Sequence, residues 1–259
     1  MAELELRGFS LNPYDTCLLN KMIGGKQFNI TWHVDNLKLL HGDKKLVDKM
    51  IEWMKGLYGQ DMRISRGKNH DNLGMIIEFS IRVQVALTMV DYLKGIISDF
   101  EGVKTLTGTA TSPAADHLYF IREEINQKKL DKKRATTFHY AVPQMLFARP
   151  KARKDTQTSV SFITTRVQSP GKDDRGKLKR VLQYVRRTIN LPLILRTDSL
   201  IVIKWWVDAS YVAHPYMRDH TGATMLLRRG SVTGIPKKHK INAKRSTEAE
   251  LIGANDAMP

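Results

Sequence analysis

Cysteine is almost absent from this chain of 259 residues, since Cys17 is the single one. One thiol forms neither an internal disulfide network nor a zinc site built on several thiolates. Long apolar runs are lacking too, because no stretch approaches the ~20 residues that a membrane-spanning helix needs. The N-terminus also has no basic segment followed by an apolar one. These absences predict an intracellular protein that is neither secreted nor inserted in a membrane.

Acidic residues are a minority among the charged ones. The chain has 42 Lys and Arg residues against 26 Asp and Glu residues, which gives a formal net charge of +16 and a pI of about 9.9. A polyanion is the natural partner for such a chain, because every neutralised phosphate releases counterions and long-range attraction speeds the encounter. Since the basic residues are spread over several segments, the composition favours a nucleic-acid partner over a merely basic surface.

A hairpin and a helix are predicted near the start of the chain. Residues 28–40, with the sequence FNITWHVDNLKLL, have the strand, turn, strand pattern, with the turn at Asp35 and Asn36. Apolar positions over residues 46–57 follow the 3.6-residue spacing of an amphipathic helix, and Gly59 stands where a C-cap belongs.

A second hairpin and a second helix follow in the same pattern. Residues 73–87 alternate with the period of two that is typical of half-buried strands, and residues 93–100 carry a helical apolar stripe. Small residues, Thr and Pro dominate residues 108–115. We therefore expect the first unit to end near residue 110.

Basic helices are predicted over residues 128–188. Pro143 is expected to break the helical pattern of residues 134–147, and residues 169–171 separate the two later helices. The polar side of the last helix is either a solvated face or a phosphate-contacting face. Its candidate nucleic-acid-binding residues are Lys177, Lys179, Arg180, Arg186 and Arg187.

The final segment carries two carboxylates, one at the end of a predicted strand and one on a predicted helix. Residues 200–207, LIVIKWWV, predict a buried central strand that ends on Asp208. Two more strands and a helix that contains Glu250 are expected after it, at residues 224–227, 231–234 and 246–251. An Asp at a strand end that faces a helical Glu suits a divalent cation, and such ions serve phosphodiester hydrolysis. A surface Asp and a helix-capping Glu explain the same two residues without any chemistry.

The segments around these carboxylates carry a family resemblance. The sequences VDASYVAHPYMRDHTGATMLLRRGSV and KHKINAKRSTEAELIGAND resemble the RNase H segment of copia-type LTR retrotransposon polyproteins. FNITWHVDNLKLLHGD resembles the polymerase hairpin of that family, and HDNLGMIIEF resembles its Leu-Gly segment. KARKDTQTSVSFITTRVQSPGKDDRGKLKRVLQYVRRT resembles its Arg-Pro-Asp-Ile to Tyr-Leu-Lys-Gly-Thr block. The matches keep the order of the family over nearly the whole chain.

The resemblance implies a set of site residues. Asp35 matches the first Asp of the polymerase motif, and Asn36 stands at the degenerate position where the family has its second Asp. Asp208 and Glu250 match the first two RNase H carboxylates, whereas Glu248 is expected to be a helix-terminal surface charge. The implied cofactor is Mg²⁺ or Mn²⁺, held by Asp35, Asp208 and Glu250.

The same resemblance indicates that both metal sites are incomplete. Asn36 offers a neutral and weaker oxygen, and we expect the remaining polymerase Asp and the third RNase H carboxylate to be missing from the chain. Neither Asp15 nor Asp256 is placed to replace them. Residues 153–156 in place of Arg-Pro-Asp-Ile and the helix-interrupting Pro143 are further irregularities, which suggest a decaying element.

The expected fold class is α+β. Residues 1–110 are predicted to form the C-terminal part of a reverse transcriptase palm with the start of the thumb, and residues 111–195 a basic helical thumb or connection region. Residues 196–259 are predicted to form the first strands and helix of a truncated RNase H-like domain.

The function implied by the resemblance is that of a catalytically incomplete RNA-directed DNA polymerase with an RNase H region. Its partners are then an RNA/DNA template-primer or an RNA–DNA hybrid, in a cytoplasmic particle or the nucleus. Two alternatives stay open: a non-catalytic basic nucleic-acid-binding module, and an unproductive retroelement remnant.

Overall fold

The chain folds into two compact units, residues 1–65 and 66–259. The computed structural model describes residues 2–34, 36–59, 62–79, 83–101, 106–121, 128–197, 202–214 and 217–257. Within these ranges no helix combines the length and the apolar character that crossing a membrane requires.

A four-stranded antiparallel sheet and one long helix build the first unit. The elements are α1 (Ala2–Leu6), β1 (Ser10–Leu11), β2 (Leu18–Ile23), β3 (Lys26–His33), β4 (Asn36–Leu40) and α2 (Lys44–Tyr58). The strands are ordered β1-β2-β3-β4, so each one pairs with its neighbour in sequence. Leu46, Val47 and Met50 of α2 pack against a buried cluster made of Phe9, Leu19, Phe28 and Ile30.

The hairpin predicted over residues 28–40 is confirmed, with its turn one residue earlier than expected. His33 pairs with Asn36, so Asn36 already belongs to β4. Val34 has a φ of 55°, the left-handed region that two-residue hairpin turns require. Asp35, the predicted polymerase carboxylate, lies outside the described residues.

The helix predicted over residues 46–57 is also confirmed, and its caps explain its bounds. The side chain of Asp43 accepts a hydrogen bond from the backbone N–H of Lys45 at the N-terminus of α2. At the other end Gly59 has a φ of 79°, and its N–H donates to the carbonyl of Lys55. Glycine adopts this conformation without the steric cost that other residues incur.

Four helices form the core of the second unit: α3 (Val90–Glu101), α4 (Lys132–Ala148), α5 (Gln157–Thr164) and α6 (Lys172–Arg187). A 3₁₀ turn at Lys154–Thr156 precedes α5. The predicted stripes of α3 and α6 are confirmed as core faces. The buried apolar side chains include Leu93, Ile96, Phe138, Val142, Met145, Val160, Ile163, Leu178, Val181, Leu182 and Val185.

The predicted helix break at Pro143 is wrong. Helix α4 continues through this residue to Ala148. A proline inside a helix costs about 3 kcal/mol, because it removes one hydrogen bond and crowds the preceding turn. Here Val142 and Met145 are completely buried on either side of it, so tertiary packing outweighs the local cost.

A five-stranded sheet combines distant parts of the second unit. Its strands are β5 (Asn69–Asn72), β6 (Met75–Glu78), β7 (Gln84–Thr88), β8 (Leu193–Thr197) and β11 (Arg228–Arg229), in the order β11-β8-β7-β6-β5. The second predicted hairpin is confirmed by the pairing of β6 with β7, in which Ile77 lies opposite Leu87. Strand β8 then pairs with β7 over a long sequence separation.

The compact units therefore do not coincide with the predicted regions 1–110, 111–195 and 196–259. The buried face of α3 packs in the same core as α4 and α6, which keeps residues 90–101 in the second unit. The five-stranded sheet likewise takes strands from all three predicted regions. The division lies instead between Ser65 and Arg66.

A three-stranded sheet and a helix complete the second unit. They are β9 (Lys204–His214), β10 (Arg218–Leu226), β12 (Ser231–Lys238) and α7 (Ser246–Ala257), with the sheet order β12-β10-β9. The later strands and the helix were predicted from the sequence and are confirmed. The prediction of a buried central strand that ends on Asp208 is wrong, because β9 continues to His214 and leaves Trp206 exposed. Among the described strands β9 is the last of its sheet.

Candidate functional site

Asp208 lies in the middle of β9, where it is exposed and pairs with Gly222 of β10. Neighbouring residues of a strand project to opposite faces of its sheet. The face that Asp208 occupies therefore follows from the contacts of the next residue, Ala209.

Helix α7 covers the face of the sheet that carries Ala209. A Cβ atom added to Gly253 would lie 3.3 Å from the Cβ of Ala209 and 3.0 Å from the Oγ1 of Thr221. Because Thr221 pairs with Ala209, both side chains point toward α7. Asp208 consequently projects from the opposite face, on the side where Gln157 of α5 approaches Gly234.

Glu250 is exposed on α7, next to the buried Ala249. Helix α7 lies against the sheet through Ala249, Gly253 and Ala257, and this sheet face is the one that Asp208 does not share. The structure therefore does not bring Asp208 and Glu250 together. The two residues lie on a strand and a helix as predicted. Side chains alternate between the two faces of the sheet along β9, and this places Asp208 on the face away from α7.

Asp208 and Glu250, the two implied ligands that the structure describes, do not fit a shared Mg²⁺ or Mn²⁺ site in this conformation. In the part of the chain that the structure describes, no group of three or more His, Cys, Asp and Glu side chains is arranged to hold a metal ion. Hard cations take about six or more oxygen ligands, so isolated carboxylates hold them weakly.

Asp208 lines an open cavity of about 590 Å³ whose other charged groups are already engaged. Asp155 accepts two hydrogen bonds from the guanidinium of Arg153. Lys154 donates from its Nζ to the carbonyl of Val232 over 2.5 Å, and burial lowers the pKa of this lysine. Among the described residues that line it, the cavity thus has one carboxylate held in an ion pair and one lysine held by a backbone carbonyl, and no nucleophile in contact with a base.

Most of the predicted nucleic-acid-binding residues of α6 form hydrogen bonds within the protein. The Nζ of Lys177 donates to the carbonyl of Phe120 over 2.5 Å, and burial lowers the pKa of this buried lysine. Arg180 donates from its Nη2 to the hydroxyl of Ser112 over 3.2 Å. These bonds attach the segment 106–121 to α6.

Arg186 extends the same attachment almost two helical turns further along α6. Its guanidinium donates to the carbonyls of Leu106 and Gly108, the latter over 2.8 Å. Three of the five predicted phosphate contacts, Lys177, Arg180 and Arg186, therefore hold a loop in place. Of the other two, Arg187 is exposed and Lys179 is half-buried.

A different group of basic residues is gathered on the surface near the start of α6. The backbone of Lys129 forms an isolated antiparallel bridge with Gly171, and the N–H of Lys172 donates to the carbonyl of Lys128 over 3.0 Å. This bridge joins the start of α4 to the start of α6. We call the five exposed lysines around it the lysine cluster: Lys128, Lys129, Lys132, Lys133 and Lys172.

Sequence reasoning missed this cluster because Lys172 is about 40 positions from the other four residues and only the bridge brings them together. Three acidic residues lie near the cluster: Asp131 accepts a hydrogen bond from the N–H of Arg134 as the N-cap of α4, and Asp173 and Asp174 follow Lys172 in the first turn of α6. The sequence signal that was available is the repeated Lys-Lys at 128–129 and 132–133.

The charge excess belongs almost wholly to the second unit. Residues 66–259 contain 33 of the 42 basic residues and 18 of the 26 acidic ones, an excess of 15 out of 16. The first unit is therefore nearly neutral. Long-range attraction of a polyanion acts on the unit that carries the lysine cluster.

Known proteins similar to this chain are encoded by transposons. The putative transposon Ty5-1 protein of Saccharomyces cerevisiae is 27% identical over 231 residues, which cover 88% of this chain and 72% of the yeast protein. The retrovirus-related Pol polyprotein from transposon TNT 1-94 of Nicotiana tabacum is 24% identical over 247 residues. That match covers 93% of this chain but only 18% of the tobacco polyprotein. No family model and no solved structure matches the chain.

Proposed function

We propose that this chain, a retroelement-derived relative of retrotransposon polyproteins, corresponds to a copia-type reverse transcriptase and RNase H region that binds nucleic acid without completing its catalytic sites. The motifs that resemble this region appear in the order of the family along the chain. Support also comes from the antiparallel strands β9, β10 and β12 followed by α7, the element order expected for the start of an RNase H-like domain.

The catalytic part of the proposal is that neither metal site works. Asn36 replaces a carboxylate of the polymerase motif, and Asp208 and Glu250 lie on different sides of the sheet β12-β10-β9. Two-metal phosphoryl transfer needs carboxylates that converge on the ions. The chain therefore lacks the means to position a metal-bound water or a 3′-hydroxyl.

The observation that carries the binding function is the lysine cluster on a unit with a charge excess of 15. Flexible ammonium groups act as point charges toward phosphates and do not read bases. The expected ligand is the backbone of an RNA–DNA hybrid or of a template-primer. Binding should be largely independent of sequence and steeply dependent on salt.

Two pairs of lysines at helix starts give a matched test of this interface. Lys132 and Lys133 follow the N-cap Asp131 of α4, and Lys44 and Lys45 follow the N-cap Asp43 of α2. We expect the double change Lys132→Ala and Lys133→Ala to weaken binding to an RNA–DNA hybrid and to lower the slope of log K against log salt by about 1 to 2.

The pair Lys44→Ala and Lys45→Ala is the control, because it removes the same charge from the nearly neutral unit. Fluorescence anisotropy over a salt series with the intact chain measures both variants. Equal losses of affinity in the two variants would show that net charge alone matters and would contradict a defined interface.

The claim that the catalytic sites are incomplete is tested by primer-extension and RNA-strand cleavage assays in Mg²⁺ or Mn²⁺. We expect neither product to form. Robust activity that disappears on Asp35→Ala or Asp208→Ala would overturn the claim of incomplete sites. A chain that shows no cooperative unfolding transition and exchanges all its amides within seconds would instead favour the unproductive remnant.

A further inference from the structure

A cavity opens beside the lysine cluster, at the start of α6. It has a volume of about 380 Å³ and lies between residues 113–120 and the first turns of α6. Pockets that bind small ligands usually measure about 300 to 1,000 Å³, so this cavity is large enough for one. Lys172 lines the cavity and also belongs to the lysine cluster, which makes the two features neighbours on one surface.

The wall of the cavity that α6 provides is basic. Among the described residues, Lys172, Lys177 and Arg180 line it against one carboxylate, that of Asp173. Burial lowers the pKa of Lys177 by more than the nearby Asp174 and Asp173 raise it. The Nε of Arg180 is buried and has no hydrogen-bond partner in the described part of the chain. An anion in the cavity would therefore meet cationic groups whose charge is only partly compensated.

The opposite wall is apolar and ends in an exposed aromatic ring. Phe120 lines the cavity with Pro113 and Leu118, and 63% of its surface is accessible. Its backbone is nevertheless held in place, because its carbonyl accepts the hydrogen bond from Lys177. The preceding ring, Tyr119, packs toward the core against Phe162, with the ring centroids 5.4 Å apart. An exposed ring on a fixed backbone is a suitable surface for a nucleobase to stack on.

We propose that this cavity binds an unpaired nucleotide, whose base stacks on Phe120 and whose phosphate lies against Lys172 and Arg180. The inference rests on the proposed function, since the lysine cluster holds the adjoining duplex. It adds a preference for duplexes that carry a single-stranded tail. Because every base has a face that can stack, this preference should depend little on the sequence of the tail.

The apolar wall favours a nucleotide over a free phosphate as the occupant. A phosphate would use the basic wall alone and would leave Pro113, Leu118 and Phe120 without a partner. A nucleotide has an anionic end and a flat apolar end, and the two walls of the cavity match these ends.

Three RNA–DNA hybrids separate stacking from charge in the test. One hybrid has blunt ends, the second carries a short oligothymidine tail, and the third carries an abasic tail of equal length. The two tails have the same phosphates, so their affinities differ only through the bases. We expect the intact chain to bind the thymidine tail about tenfold more tightly than the abasic tail, as measured by fluorescence anisotropy at constant salt.

The aromatic ring is tested by Phe120→Ala. This change removes an exposed side chain, so we expect the variant to fold, and the ratio of the two affinities should fall to about 1. Phe120→Trp keeps an aromatic ring and should keep the ratio. Tyr140→Ala is the matched control, because Tyr140 is an exposed ring of the same unit, with 67% of its surface accessible, and does not line this cavity.

A second pair of variants narrows the cavity and leaves the ring unchanged. Gly176 lines the cavity inside α6, and a Cβ atom added there meets no atom within 4 Å. Leucine forms helices better than glycine, so Gly176→Leu should keep the fold while it reduces the space for a nucleotide. Gly95→Leu is the control, since Gly95 is exposed inside α3 and an added Cβ is equally unobstructed there. Only Gly176→Leu should lower the preference for the thymidine tail.

The outcomes distinguish this inference from the proposed function. Equal affinities of the unchanged chain for the two tails would overturn the stacked base, even where the blunt hybrid binds as proposed. A preference that survives both Phe120→Ala and Gly176→Leu, or that the two control variants reduce as strongly, would overturn the assignment to this cavity. A chain that binds none of the three hybrids would contradict the proposed function, and this inference with it.

Discussion

Arg153 and Asp155 form a bidentate ion pair, in which Arg153 is only 1% exposed. The Nε of Arg153 donates to Oδ1 of Asp155 over 3.0 Å and its Nη2 donates to Oδ2 over 2.7 Å. The same guanidinium donates to the hydroxyl of Thr188 over 2.7 Å, at the end of α6. One buried cation thereby joins the 3₁₀ turn before α5 to the C-terminus of α6.

Removing the carboxylate of this pair should be costly. Asp155→Ala leaves the buried guanidinium with no counter-charge, and breaking a buried pair in this way typically costs about 3 to 5 kcal/mol. We expect a large fall in the urea midpoint of the second unit. Asp91→Ala, which removes an exposed partner of Lys94, is the control and should change the midpoint little. Equal effects of the two changes would contradict a structural role for Arg153.

A second prediction concerns the attachment of residues 106–121. Arg186→Ala removes the donors to the carbonyls of Leu106 and Gly108, so these backbone groups lose their partners on α6. We expect faster amide exchange and faster proteolysis in that segment.

The neighbouring Arg187→Ala is the control for this change, because Arg187 is exposed and no described contact links it to the segment. If Arg187→Ala increased exchange and proteolysis of residues 106–121 as much as Arg186→Ala, the loss of positive charge and not the lost hydrogen bonds would explain the effect.

The sequence predicted correctly those elements whose signals lie within a few neighbouring residues. The hairpin at residues 28–40, the helix α2 and the apolar stripe of α6 depend on periodicity and capping, which the sequence displays directly. Helix α4 was missed as a continuous element because its core packing opposes the local effect of Pro143. Strand β8 was missed because its partner β7 lies more than 100 positions earlier.

The candidate site was harder to predict because it depends on faces and on long-range pairing. Periodicity placed Asp208 on a strand and Glu250 on a helix, but only the contacts of Ala209 with α7 reveal that the two carboxylates diverge. The basic positions of α6 looked equivalent in sequence. The structure distinguishes Lys177 and Arg186, which bind a loop, from the exposed Arg187.

A third prediction is a loss of stability at acid pH caused by two buried histidines. The Nε2 of His214 lies 2.9 Å from the Nδ1 of His220, and Tyr119 packs against both rings. Burial, together with His220 and Lys238, lowers the pKa of His214 to about 4. Burial and the nearby His239 lower the pKa of His220 to about 4 as well.

The direction in which the free energy of unfolding changes with pH follows from proton binding. The unfolded chain binds protons at these histidines near pH 6.5, whereas the folded chain resists them until about pH 4. The free energy of unfolding should therefore decrease as the pH falls from 6.5 to 4, by up to about 1.4 kcal/mol per pKa unit and histidine. Denaturant titrations at several pH values measure this slope.

The double change His214→Phe and His220→Phe should flatten the slope over this pH range, because neither ring then titrates. His139→Gln is the control, since His139 is exposed on α4 and lies outside the buried histidine pair. A slope that stays unchanged in the double variant would show that other groups cause the acid sensitivity.

The last prediction is that Mg²⁺ gives the chain no specific stabilisation. A ligand that binds only the folded state raises the unfolding temperature, and the increase grows with the logarithm of its concentration above Kd. Asp208 and Glu250 project from different sides of the sheet, so neither adds to the other's affinity for a cation. We expect millimolar Mg²⁺ to shift the unfolding temperature no more than a monovalent salt of equal ionic strength, and Asp208→Asn and Glu250→Gln to leave that shift unchanged. A Mg²⁺-specific increase that both variants abolish would show that the carboxylates converge in solution, and it would restore the RNase H-type site that the resemblance implies.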